Sequence, residues 1–446
     1  AGKLEAFELF FVEPIASEDH RGALQAAIEH ILDDVILATD AYQDLQQKST
    51  ELADYLGGLR GNAHAEAIAG EVSIEEYEHF FRWLQDDHFV FLGYREYAIT
   101  EEDGEECLVR VDNSGVGILA RDSSAYGAPV PLTHLDPALR ARVVGGKLVT
   151  VTKTTAESTV HRDRRMDYLG VKRLNDAGEI IGELRIVGLF TSKALSLPVE
   201  NFPVLREKLR EVLKRDQSIP GSHEYKAMID AFNSFPRESL FGFGVNELLS
   251  EVRTIVDYDP EQGAVLSLLD DSLKRGMSAM VLLPRDRYSG TVRRAIQAFL
   301  SERLNATRAD YRLAYDDEHD HARFHFFFLT DLLVADVNQS ELALGIGELA
   351  RTWQDELRER IAASYDQEQA SALVAKYKNA FDASYRSTVS IDGALSDILA
   401  LEQLGANDQQ YVVQITGTDG ETNLVIYHYD AGIALSNVMP ILENTG

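Results

Sequence analysis

The sequence predicts a multidomain α+β protein of ferredoxin-like modules with antiparallel sheets, joined by helical connectors. Three observations carry this. The chain has 446 residues, which at about 100 to 200 residues per domain means two to four compact units. A block of short β-rich runs after His88 gives way to a helical stretch after Pro203. The stretch from Met277 then reads strand, helix, strand, strand, helix, most of a split βαβ layout.

The elements follow in order from their patterns. Phe7 to Val12 is strand-like, and Leu24, Ile28, Ile31, Leu32 and Val35 repeat on one helical face. Ser73 and Glu76 have capping-box spacing ahead of Ile74, Tyr77, Phe80, Phe81 and Leu84. The β-rich runs are Phe89–Leu92, Cys107–Val111, Lys147–Thr152 and Ile180–Phe190, with a hairpin turn at Asn175-Asp-Ala-Gly178. Pro203 suits a first helical turn before Leu205, Leu209, Val212 and Leu213, and Glu211 can pair with Arg215. Further helices cover Tyr225–Phe232 and Val245–Ile255. Met277–Leu283, Ala309–Tyr315 and Ala322–Leu329 are strands, and Val292, Ile296, Phe299, Leu300 and Leu304 form a helical face. One long helix is expected through Leu342, Ile346, Leu349, Trp353 and Leu357. Tyr411–Ile415 and Leu424–Tyr429 flank Gly417-Thr-Asp-Gly420 as a hairpin, and a helix starts at Ser436.

This divides the chain into 1–72, the end of a first module and a helical linker; 73–200, an antiparallel-sheet module; and 201–275, a helical connector. Next come 276–362, a β-α-β-β-α module; 363–408, a second connector; and 409–446, the start of a further module.

Composition narrows the function. Hydrophobic residues make up 45% and charged residues 26%, ordinary for a soluble globular protein. The 73 acidic side chains exceed the 43 basic ones, giving a net charge of −30 that repels nucleic acid and anionic membranes. Cys107 is the single cysteine, so neither an internal disulfide nor a cysteine zinc site is available, and a cytoplasmic location is expected. The apolar stretch Phe324–Val337 is interrupted by His325, Asp331 and Asp336 and falls short of the ~20 residues of a membrane span. The chain begins at Ala1 and stops at Asn444-Thr-Gly446, just after an apolar pattern that looks unfinished, so it is expected to be part of a longer polypeptide.

Several clusters suggest chemistry and each has a plainer reading. Gly345-Ile-Gly-Glu-Leu-Ala350 fits a relaxed dinucleotide fingerprint, but it follows a helical pattern instead of a strand, so it is read as helix packing. Glu318, His319, Asp320, His321 and His325 resemble a metal cluster and are read instead as a polar hairpin tip. Val160-His-Arg-Asp-Arg-Arg165 suits an anion site or an ion-pair network, and the network is favoured. The best local site joins a strand to a helix at Arg285, Asp286, Arg287, Tyr288, Ser289 and Gly290. There free N–H groups and arginines suit a small ligand's carboxylate. Catalytic, metal and cofactor-binding signatures are not found: there is no G-x-S-x-G, H-E-x-x-H or Walker A loop.

A further set of stretches resembles the large bacterial NAD-dependent glutamate dehydrogenase family. They are Asp167-Tyr-Leu-Gly-Val-Lys-Arg-Leu174 with Gly182-Glu183, Gly188-Leu-Phe-Thr-Ser192, Phe235-Pro-Arg-Glu-Ser-Leu-Phe241 and Leu283–Tyr288. Arg351-Thr-Trp-Gln-Asp-Glu-Leu357 and Leu435–Asn444 complete them. They occur in order from about residue 80 onward. The resemblance implies the N-terminal region of such an enzyme, built of ACT-like modules, with NAD chemistry on glutamate carried out further along the polypeptide. It transfers no catalytic residue and no cofactor to this segment. The implied partners are the catalytic domains of its own chain, further copies in a homo-oligomer, and an amino-acid effector. The alternative is a scaffold that binds no ligand.

Overall fold

In the computed structural model, which describes residues 7–15, 17–102, 104–121, 129–135, 137–162, 164–271, 274–314, 321–406, 411–418, 421–428 and 435–444, the first regular element is a helix. The chain forms two compact units, 1–344 and 345–446. Phe7–Val12, expected as a strand, is irregular, because no described strand lies beside it to complete a ladder.

Helix α1 (Glu18–Asp40) starts at Ser17, whose hydroxyl accepts from His20 N. It is followed by α2 (Tyr42–Gly58), α3 (Ala63–Ala69) and α4 (Ile74–Trp83). Thus every regular element described within 1–72 is a helix. Ser73 caps α4 by accepting from Glu76 N at 3.2 Å, but the expected capping box is only half made. Glu76 reaches away from its own helix, accepting from Val204 N at 3.0 Å and from the Arg206 guanidinium at 2.5 and 3.0 Å.

The first sheet contains β1 (Phe89–Glu102), β2 (Glu105–Arg110), β3 (Val116–Gly117), β4 (Val130–Pro131), β5 (Val149–Glu157), β6 (Arg165–Leu174) and β7 (Ile180–Phe190), with α5 (Pro137–Val144) between β4 and β5. The order is β4-β2-β1-β7-β6-β5, with β3 also on β1, and every pairing is antiparallel. Three of these six pairings, β1–β2, β5–β6 and β6–β7, join sequence neighbours, unlike the interleaved order of a split βαβ. The Asn175–Gly178 turn forms as expected: Gly178 has φ +85° and Asn175 Oδ1 accepts from Glu179 N at 2.9 Å. Side chains alternate along the strands. Leu169, Val171 and Ile186 enter the main core with α2 and α4, while Met166, Tyr168 and Val187 form a second cluster with Val35 and Ala38 of α1.

Gly188 permits the close approach of β7 to β1, since a Cβ there would lie 2.2 Å from Val90 O. One polar group is embedded in this sheet. Glu183 is 4% exposed, stands opposite Lys172 across the β6–β7 pair, and accepts from Lys172 Nζ at 2.8 Å and Arg185 Nε at 2.7 Å. The Tyr168 hydroxyl donates to it as well, and Lys172 also reaches Arg142 O at 2.6 Å. Burial alone would raise the Glu183 pKa, but Arg185, Lys172 and Arg142 overcome it and hold the carboxyl far below the usual range.

Helices α6 (Ser192–Ser196), α7 (Leu205–Asp216), α8 (His223–Asn233), α9 (Arg237–Gly242) and α10 (Val245–Val256) follow. Pro203 lies outside the first turn of α7, because Val204 takes φ +71° at the N-cap and α7 starts only at Leu205. The Glu211–Arg215 pair is present at 3.0 Å. Buried Lys208 of α7 donates to the carbonyls of Leu240, Phe241 and Phe243 at 2.7 to 2.8 Å, closing the end of α9.

The second sheet contains β8 (Val265–Asp270), β9 (Met277–Pro284), β10 (Arg308–Ala314) and β11 (His321–Leu329), with α11 (Gly290–Arg303) after β9. Its order β10-β11-β9-β8 is antiparallel throughout. The stretch 201–275, read above as a helical connector, therefore ends in a strand. Val265–Asp270 is too short to announce itself and gains its identity only by pairing with β9. The expected long helix is two, α12 (Gln339–Leu349) and α13 (Trp353–Ser364), because Thr352 makes a capping box with Asp355 and starts a new one.

The unit 345–446 continues with α14 (Gln367–Tyr377), α15 (Ala383–Thr388) and α16 (Ile391–Ala406), which bury Leu357, Ile361, Leu373 and Ile398 together. The hairpin β12 (Tyr411–Thr418) and β13 (Glu421–His428) and helix α17 (Leu435–Asn444) follow. Residues 419 and 420 of its turn lie outside the described residues.

Replacing Gly188 by Ala should lower stability by roughly 1–3 kcal/mol, since the β7–β1 backbones must part to admit the methyl; urea unfolding measures it. Glu251 of α10, 4% exposed and hydrogen-bonded by Ser267 of β8, carries a second testable consequence. Burial, with Glu247 beside it, pushes its pKa up to about 7 from 4.5. The folded state thus keeps a proton that the unfolded chain releases, so this group's stabilising share is full at low pH and is lost as pH rises through about 7. Glu251→Gln should therefore be more stable than the parent by about 1–3 kcal/mol at pH 8, with the gap narrowing toward pH 5, in melts across that range.

Candidate functional site

The turn selected from sequence is built as expected but is an ordinary strand-to-helix connection. Arg285, Asp286 and Arg287 form a short 3₁₀ turn after β9, with Arg285 and Asp286 exposed. The Tyr288 ring lies 5.5 Å from Phe324, and Ser289 caps α11 by accepting from Val292 N at 3.1 Å. Gly290 opens the helix. None of the six lines a cavity of about 820 Å³ in the same unit.

That cavity lies between the first sheet, the second sheet and α9. Among the described residues it is lined by seven cationic side chains and four carboxylates, in a chain of net charge −30. β5 contributes Lys153, the approach to β6 contributes Arg162 and Arg164, β6 itself Arg165, and the second sheet and its approach contribute Arg275, Arg308 and Arg312. Alternation along β10 puts Arg308, Asp310 and Arg312 on one face, turned toward the first sheet.

The carboxylates are all engaged. Buried Asp167 holds Lys153 Nζ at 2.7 Å and accepts from Phe190 N at 2.9 Å. Burial raises its pKa, and Glu238 adds to this against the pull of Lys153. Glu238 of α9 accepts from Arg312 at 2.9 Å and faces Lys153 at 3.7 Å; burial would raise its pKa, but Arg312 and Lys153 draw it below the usual range. Asp310 lies 3.5 Å from Arg165 and 3.4 Å from Arg308. Asp271 is 3.8 Å from Arg275.

The cations are less fully matched. Arg165 pairs with Asp310 and stacks over Phe327 at 5.0 Å, as the ion-pair reading expects. Arg162 donates to the Ser192 hydroxyl at 2.8 Å, and neither it nor Arg164 meets a carboxylate among the described residues. Arg275 donates to Lys153 O at 2.8 Å, but its buried Nε makes no hydrogen bond. The Nε2 of His325, 8% exposed, also has no partner among the described residues. Burial, with Arg323 and Arg312 nearby, pushes the His325 pKa down to about 3, so this ring is neutral at physiological pH.

The other sequence candidates separate. His321 and His325 lie on β11, packed against Tyr258 and Phe235 at 5.2 and 4.8 Å, while residues 318–320 lie outside the described residues. No group of three or more His, Cys, Asp or Glu that could hold a metal occurs among the described residues. Gly345 and Gly347 sit inside α12, without the strand a dinucleotide turn needs, and nothing lies within 4 Å of a Cβ built on Gly347, so close packing does not explain that glycine. No described helix is long and apolar enough to cross a membrane. Sequence reading missed Lys153, Asp167, Glu238 and Arg312 as a group. The alternating Arg308-Asp310-Arg312 was the available signal.

A four-stranded antiparallel sheet with one crossover helix, flanked by helical bundles, defines an ACT-type module between helical segments. Family models agree piece by piece: the glutamate dehydrogenase ACT2 domain matches residues 266–354, helical motif 1 matches 202–259, and helical motif 2 matches 360–404. The chain belongs to the NAD-specific glutamate dehydrogenase family. It is 29% identical over 427 residues to the NAD-specific glutamate dehydrogenase of Halomonas elongata, covering 95% of this chain and 26% of that protein. It is 28% identical to those of Pseudomonas aeruginosa and Mycobacterium tuberculosis, over 95% and 96% of this chain and 26% of each. The chain thus spans about a quarter of the length of these relatives.

Asp167→Asn should cost roughly 2–4 kcal/mol, because Lys153 loses its closest carboxylate in a largely buried setting; chemical denaturation measures the loss.

Proposed function

We propose that this chain is the non-catalytic regulatory and assembly region of a longer, cytoplasmic NAD-dependent glutamate dehydrogenase. The parent reaction converts glutamate, NAD and water to 2-oxoglutarate, ammonium and NADH, on domains elsewhere in the polypeptide. The observation that carries this reading is the ACT2 match on the β8–β11 sheet, within a chain that aligns to about a quarter of enzymes named for that activity. A module of this type influences an enzyme by binding an effector or a neighbour more tightly in one conformation than another. In this reading the sheet and its helices bind the chain's own catalytic domains and further copies in a homo-oligomer. An amino-acid effector is recognised at Arg285–Gly290.

Two measurements test the proposal. This chain with glutamate and NAD should yield no NADH above the blank, and turnover by the chain alone would end the non-catalytic reading. Calorimetric titration with an amino-acid panel should give binding that Arg285→Ala weakens. Silence through millimolar concentrations would remove effector sensing and favour the scaffold role.

A further inference from the structure

We infer that the cavity between the two sheets is a binding site for a small, multiply charged anion, carrying at least two carboxylate or phosphate groups. This stands apart from the effector contact at Arg285–Gly290 and does not depend on it.

The charge inventory comes first. Among the described residues seven cations line the cavity with four carboxylates, and a fifth carboxylate, Glu157, pairs with Arg308, in a protein whose surface is otherwise strongly acidic. Like charges held together repel, and burial strengthens the repulsion, so such an excess is costly unless an anion relieves it. The internal acids cannot supply that relief, because Asp167, Glu238, Asp310 and Asp271 already face Lys153, Arg312, Arg165 and Arg275. Arg162 and Arg164, both exposed where they line the cavity, are left without a carboxylate among the described residues. Arginine forks bind carboxylate and phosphate oxygens in pairs, which makes these two the first groups an entering anion meets.

Hydrogen-bonding capacity points the same way. His325, more than nine-tenths buried, lines the cavity with a ring nitrogen that has no partner among the described residues, and the Arg275 Nε makes no hydrogen bond, with Asp271 no nearer than 3.8 Å. Buried polar atoms without partners are rare in folded proteins, and a ligand or water usually completes them. Volume then limits the guest. About 820 Å³ falls within the range of roughly 300–1,000 Å³ typical of small-molecule sites and greatly exceeds a single inorganic ion. The two positive charges left over among the described residues, on Arg162 and Arg164, favour a guest with two or more negative ones over a zwitterion such as glutamate, whose net charge is a single negative.

Calorimetric titration of the intact chain at low ionic strength tests this, with citrate and inorganic pyrophosphate as probes and glutamate as control. At least one probe should bind with unit stoichiometry, more tightly than glutamate, and weaken as salt is added. Citrate alone identifies a polycarboxylate guest, pyrophosphate alone a phosphorylated one, and both a site that counts charge. The double substitution Arg162→Ala/Arg164→Ala should weaken binding by about tenfold or more. Because both side chains are exposed, the unliganded melting temperature should hold, and Arg164→Glu gives an independent variant with the same expected loss. No heat from either probe at millimolar concentration would overturn the site. So would binding that both variants leave unchanged, which would place the anion elsewhere.

Discussion

Glu183, a carboxylate enclosed by its own sheet, constrains the register on which the rest of the larger unit depends. Removing ions from water costs several kcal/mol each, and a buried pair recovers this only with good geometry and full hydrogen bonding. Here Lys172 stands directly opposite, Arg185 lies two residues along the same strand, and Tyr168 completes the set. The value of such an arrangement lies in specificity. Slipping β6 by one residue would set Leu184 or Gly182 against Lys172 and leave Glu183 charged without its partner. With the register fixed, Asp167 falls opposite Gly188, where no side chain competes, and it meets Lys153 of β5 directly. One wall of the basic cavity follows from that alignment.

The helical segment between the sheets is more than a spacer. Its helix α9 carries Glu238, which faces Lys153 of the first sheet and Arg312 of the second. Glu76 of α4, by holding Val204 in a left-handed conformation, fixes where α7 begins. A β-branched residue seldom adopts that conformation, so the turn persists because the buried carboxylate satisfies its N–H and the Arg206 guanidinium together. Helix, strand and loop thus meet through a few charged groups placed among apolar ones.

Much of this was legible in the sequence wherever the cause was local. Ser73 caps the helix it precedes, Asn175–Gly178 turns the β6–β7 hairpin, and the β9-α11-β10-β11 order reads directly from periodicity. What escaped was non-local. β8 is a strand only because β9 offers an edge, and Glu76 looks like a capping residue until Val204, 128 positions later, claims it. The Asp167–Leu174 and Gly182–Glu183 stretches carried the family resemblance without revealing that Lys172 and Glu183 meet inside the sheet. The cavity draws on residues from Thr152 to Phe327, so only its cluster at Arg162–Arg165 was visible, and there the ion-pair reading fits Arg165 but not its two neighbours.

Lys208 gives the helical segment an all-or-nothing character. Its ammonium occupies the place that water would take at the end of α9, satisfying three carbonyls at once. A small slide of α7 past α9 would break these bonds together, stranding a charge on one side and bare oxygens on the other. The three bonds therefore tie α7 to the end of the short helix whose other end carries Glu238.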